Sequence, residues 1–189
     1  MTTKTKPPAN TEGHKQNQIT TMRAFADSTA TGLLMAALTS NTAADILNLD
    51  QDLLAGDWPT TQHHAIWQAI VSQAQKLAND GHADTVASAE LVYTELRRKG
   101  QLDFHVQGLL TDALGTVRGG HRLPPTAAAE YAHALKRQRL ATVCAIARDM
   151  FAAAASGSDQ DVRRALAYVE NLRAKAVRAG VDLNAPYFT

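Results

Sequence analysis

The chain has 189 residues, 45% of them hydrophobic and 5% aromatic, with a formal net charge of +1. That length suits one domain, or one domain with an appendage, and that apolar content is enough to bury a core. The near-zero charge excludes a bulk attraction to nucleic acid, so any such contact needs a local patch, and the single cysteine, Cys144, excludes an internal disulfide.

Alanine, leucine, arginine, glutamine and glutamate favour helix, and β-branched alternation is nearly absent. The expected fold is all-α: a compact multi-helix globular domain followed by a long antiparallel helical hairpin. The polar N-terminus shows no secretory signal, and no apolar run approaches the roughly 18 to 20 residues that span a bilayer, so a cytoplasmic protein is expected.

Residues 1–20 have almost nothing to bury and are predicted to be a disordered tail. The globular part is predicted over 21–125. It opens with a helix over 24–38 that carries Ala30, Leu33 and Leu34 on one face, with Asp27 or Ser28 as its cap. A short helix over 42–47 and a turn over 50–56 follow. The stretch from Leu53 to Gly100 is central. Ile66, Trp67, Ile70, Val71, Ala74 and Leu77 recur at helical spacing and demand burial. Trp58-Pro59 marks the entry to this helix and Gly81 its left-handed exit. Asp84 or Thr85, with Ser88 as a rival, caps the next helix, which ends in Arg97-Arg98-Lys99 before Gly100.

A further helix is predicted over 102–117 with Val106, Leu109, Leu110 and Leu114. The Gly- and Pro-punctuated segment 118–125 is a loop. The hairpin, 126–180, consists of a long helix to about Ala155, a Ser156-Gly157-Ser158 turn, and a second helix to Arg178 with Gly180 as its stop. Val162, Leu166, Val169, Leu172 and Ala176 follow one another at steps of three or four, the stripe of a helix-on-helix seam. Residues 181–189 are predicted to be an irregular tail.

These segments resemble the N-terminal domain of DnaB-type replicative DNA helicases. The resemblance rests on Leu53-Leu54, Asp57-Trp58, His63-His64, Ile66-Trp67, Ala69-Ile70, the Gly81-His82-Ala83-Asp84 turn and Gly100. Upstream, Ala26-Asp27 through Gly32-Leu33-Leu34 is similar to the family's opening helix. Downstream, Tyr131-Ala132 after Pro125-Thr126-Ala127-Ala128 is similar to its Tyr-Ala helix. The likeness runs over most of residues 26–150. His64 stands where the family usually has arginine, and the chain reaches Thr189 without the family's RecA-like motor. The resemblance implies a stand-alone, non-catalytic assembly module of DNA replication. It would form a homo-oligomer, a dimer, through its hairpin, and would dock on a primase, a helicase loader or a replicative helicase. The self-association residues are expected to be Met150, Phe151, Val162, Leu166, Val169, Leu172 and Ala176. A simpler reading is that the stripe only packs on the helix before it.

No Gly-x-x-x-x-Gly-Lys-Ser/Thr phosphate loop is present, so no nucleotide cofactor and no motor activity are expected. His63 and His64 are adjacent and point apart on a helix, and no second cluster completes a metal site, so no metal is expected. One of the two should face solvent and the other pack under Trp67. Cys144, in an apolar helix, reads as a small buried core residue rather than a nucleophile. Asp84 reads as a helix cap rather than a catalytic acid. No set of titratable residues assembles into an active site, so no enzyme activity is expected.

Two basic groups remain: Arg118, His121 and Arg122 on the loop, and Lys136, Arg137, Arg139, Arg163, Arg164, Arg173, Lys175 and Arg178 on the hairpin. They form either a solvated face or a strip contacting DNA phosphates or a protein partner. A DNA-binding replication accessory is therefore the alternative function, and the front part of a split helicase is a third.

Overall fold

The computed structural model describes residues 27–118 and 123–185, with the side chains of 116–118 excluded. The expected 1–20 tail, the residues at 24–26, His121 and Arg122 lie outside the described residues. Among the described residues the fold is all-α, with turns and short loops joining the helices. Helix α1 runs over 27–39, followed by α2 (Ala43–Asp52), a 3-10 turn (Ala55–Asp57), α3 (Thr61–Asn79), α4 (Ala89–Arg98), α5 (Phe104–Arg118), α6 (Ala127–Ala154) and α7 (Asp159–Arg178). Among the described residues one isolated antiparallel β-bridge pairs Thr42 with Val86.

Helix α3 is the axis of the core. Its Ile66, Trp67, Ile70 and Ala74 are fully buried, together with Leu33 and Leu34 of α1, Val92 and Leu96 of α4, and Val106 of α5. Trp58 packs on Trp67 with ring centroids 5.5 Å apart. Trp67 Nε1 donates to Asp50 Oδ1 at 2.7 Å, so the one polar atom of this large side chain is satisfied from α2. The expected break near Asp50 is therefore absent. A single helix runs to Asp52, and its start is fixed by the Asp45 side chain, which accepts from Thr42 N at 3.0 Å.

The expected stops hold. Gly81, Gly100 and Gly180 all have positive φ, the left-handed conformation in which a side chain is strained. Two expected starts differ. Pro59 lies outside α3, where Thr60 is the cap and accepts from His63 N at 3.3 Å. Asp84 does not cap α4, whose N-cap is Ser88. The reason is that the segment around Asp84 is pulled back onto α2. Ala83 and Thr85 carbonyls accept from the Ala44 and Ala43 N–H groups, filling positions that a helix start leaves open. At the other end of α4, Arg98 and then Lys99 hold the Glu95 carboxyl down to about 2, with Lys76 of α3 joining them at 3.3 Å.

The change from globule to hairpin falls inside α6. Ala127, Ala128, Ala132 and Leu135 belong to the main core, whereas Val143, Ala147 and Ala154 are buried outside it. At 1.5 Å per residue the 28-residue α6 is about 42 Å long, so its last two thirds extend past the globule beside α7. Gly32 allows α6 to approach α1. A Cβ built there would lie 2.7 Å from two ring atoms of Tyr131. We expect Gly32→Ala to lower stability by about 1–3 kcal/mol. Urea unfolding measures this, and the penalty should shrink in a Tyr131→Leu background, where the ring is gone.

Candidate interaction face on the helical hairpin

The α6–α7 seam is made of small residues. Ala147 and Ala154 on α6, with Ala165 and Ala176 on α7, are buried; Val143 joins them, and Met150 and Leu172 are half-buried. Three of the seven expected self-association residues, Met150, Leu172 and Ala176, therefore turn into the chain's own seam. The other four do not. Phe151 and Val162 are each 42% exposed, Leu166 is 58% exposed and Val169 is 37% exposed.

Helical geometry places these four together. At 100° per residue, Val162, Leu166, Val169 and Arg173 span about 60°, centred about 70° from the seam residues of α7. Counting outward from the turn between Ala154 and Asp159, Phe151 lies level with Val162, and Cys144 with Val169. Both are displaced from the α6 seam toward the same side of the hairpin. Cys144 is exposed, not the buried core residue the sequence suggests. Its apolar neighbours in sequence are mostly alanines, and the seam passes through Val143 and Ala147 instead. The result is an apolar strip along one flank of two rods.

The ends of the hairpin are fixed differently. At the tip, Ser158 N donates to Asp161 Oδ2 at 2.9 Å and the Ser158 hydroxyl donates at 2.8 Å; these bonds, in that order, lower the Asp161 pKa. Gly157 is required there, because a Cβ would meet the Ala153 carbonyl at 2.9 Å. At the base, Asp57 is buried, with its side chain 1% exposed. It accepts from Arg178 at 2.6 and 3.2 Å and from Leu54 N at 3.0 Å, and Lys175 stands 3.8 Å away. Arg178 also donates to the Asp52 carbonyl at 2.8 Å, and Lys136 pairs with Asp52 at 3.6 Å.

This base cluster sorts the expected basic strip. Lys175 points into the molecule rather than toward a phosphate or a partner, because Asp57 is there to receive it. Arg164 pairs with Asp161 at 3.7 Å. Arg163 and Arg173 are exposed. Arg118 ends α5, and its side chain, with His121 and Arg122, lies outside the described residues. Sequence reasoning missed this role of Asp57, which lies 121 positions from Arg178 and belongs to no periodic pattern.

A second feature is an open groove of about 440 Å³ lined by Asp27, Thr60, His63, Phe104, His105 and Asp112. His63 is buried, and its Nδ1 is 2.7 Å from Thr60 Oγ1. His64 is half-buried, with its ring 6.4 Å from Trp58, so neither histidine simply faces solvent. Among the described residues no group of three His, Cys, Asp or Glu side chains is arranged to hold a metal ion, and no helix is long and apolar enough to cross a membrane. No family model, curated protein or solved structure matches this chain.

Asp57→Asn removes the charge that Arg178 and Lys175 share and should cost about 1–3 kcal/mol in urea unfolding. Arg178→Met should cost at least as much, because it leaves the buried carboxylate with only Lys175, 3.8 Å away. Burial lowers the His63 pKa from 6.5, against the opposing charge of Asp27. The neutral ring is thus favoured in the folded state, and below about pH 6.5 the unfolded chain binds the extra proton. Stability should therefore fall as pH drops from 6.5 toward the lowered value, and a His63→Asn variant should lose that part of the slope.

Proposed function

We propose that this chain is a non-catalytic assembly module of DNA replication. It self-associates through its hairpin and docks on a primase, a helicase loader or a replicative helicase. The observation that carries the reading is the exposed flank of the hairpin, where Phe151, Val162, Leu166 and Val169 form one apolar strip on two rods that extend past the globule. An apolar strip of this length on a projecting element is suited to another polypeptide and gains by leaving water. The likeness of residues 26–150 to the N-terminal domain of DnaB-type helicases supplies the biological setting. The alternative, direct DNA contact, draws less support from the geometry, because carboxylates already hold Arg164 and Lys175.

Light scattering of the whole chain tests the reading. A particle of twice 20.3 kDa is expected at micromolar concentration. Leu166→Asp should return it to a monomer with unchanged helix content by circular dichroism, since Leu166 is 58% exposed within the chain, and its melting midpoint should no longer rise with protein concentration. Mixing with a replicative helicase should give a heavier complex. A chain that stays monomeric and ignores the helicase overturns the proposal.

A further inference from the structure

We infer that two copies pair through this flank with their α7 helices antiparallel, about a two-fold axis near Leu166 and Ala167. The inference rests on the self-association proposed above and adds the order in which the rods lie.

The charges beside the strip carry it. Asp159, Arg163, Glu170 and Arg173 are all exposed, and none has an ion-pair partner among the described residues. On the helical wheel Asp159, Arg163 and Glu170 line the edge of the strip away from α6, and Arg173 lies within it. A two-fold axis lying in the interface and perpendicular to α7 brings each outer edge against the outer edge of the other copy, with the direction reversed. Centred between 166 and 167, it sets Arg163 against Glu170 of the second copy and Asp159 against Arg173. Symmetry repeats both pairs, so four unpaired charges per chain become four complementary contacts per dimer. Leu166 then meets its own copy at the centre. On α6 the matching edge holds mostly alanines. Its one charge near the axis, Arg148, is already bonded to Asp149 at 3.0 and 3.1 Å.

The opposite order is disfavoured by the same residues. With the axis along the helices, α7 lies over α6 of the second copy, whose matching edge holds mostly alanines, so the four charges of α7 are left without partners. Laying the two α7 rods side by side in parallel instead sets Arg163 on Arg163 and Glu170 on Glu170. Like charges placed directly opposite oppose association.

Charge exchange and distance measurement together test this in the whole chain carrying Cys144→Ser. Glu170→Arg should weaken self-association about tenfold, and Arg163→Glu combined with Glu170→Arg should restore it. Spin labels at Ala167→Cys should lie closer across the dimer than labels at Ser156→Cys. Antiparallel rods move the two tips apart by roughly 30 Å along the axis. A dimer with equal spacings at 156 and 167, or with unchanged affinity in Glu170→Arg, overturns the antiparallel order while leaving self-association standing. A monomer at every concentration overturns both.

Discussion

The Asp57 carboxylate receives Arg178 at 2.6 Å and faces Lys175 at 3.8 Å, and so ties the last turn of α7 to a short turn far earlier in the chain. A buried carboxylate without its cations would be costly, and a guanidinium held in that position loses much of its hydration, so the three groups require one another. Such a cluster contributes more to geometry than to net stability. Arg178 also bonds the Asp52 carbonyl, Lys136 of α6 reaches the Asp52 side chain, and Gln138 bonds Thr29 at 2.7 Å. Both rods are therefore fixed at their base, and their orientation on the globule is set. The exposed flank of the hairpin is held at a fixed orientation to the globule as a consequence.

The seam then decides what is exposed. Alanines at 147, 154, 165 and 176 let the two backbones come close while burying little apolar area per contact. Had leucines filled these positions, the rods would stand further apart and the larger side chains would face inward. Instead Phe151, Val162, Leu166 and Val169 sit to one side, while Ile146 is exposed on the other. Val162, Leu166 and Val169 follow the spacing of a seam but are rotated about 70° from the one the chain uses. A hairpin stable enough to stand off the globule, with its bulkiest apolar groups turned outward, is one whose own packing leaves an apolar face uncovered.

Much of this was legible in the sequence, and the failures have physical causes. The helical period of Ile66, Trp67 and Ile70 identified the core, and the glycines at 81, 100 and 180 identified the ends, because each is a local signal acting within a turn or two. The hairpin was legible for the same reason. The seam was misplaced because residue size ranks leucine and valine above alanine, while close packing of two helices selects the small residues. Cys144 was expected inside by the same reasoning and lies outside. Asp84 offered a cap, but tertiary contact between its neighbours and the start of α2 took the segment elsewhere. Asp57 was legible only beside Trp58 in the family likeness, and nothing local marked it as the centre of an ion-pair cluster. Its meaning depends on two cations near the other end of the chain, which no short window can see.

An apolar strip alone does not specify a dimer. Valine and leucine side chains at three- and four-residue steps pack nearly as well after a slip of one turn, and they pack in either direction, so the energy they supply is largely blind to order. Charges beside such a strip are different. Each pair is worth little on a solvated surface, yet a shift or reversal converts every attractive pair into a repulsive or an empty one at once. In α7 the four uncommitted charges are spaced so that one register and one direction satisfy all of them. Glu170 and Arg173 therefore have a role on an otherwise solvated helix face that the strip cannot fill: they separate one register and one direction of pairing from the slipped and reversed ones.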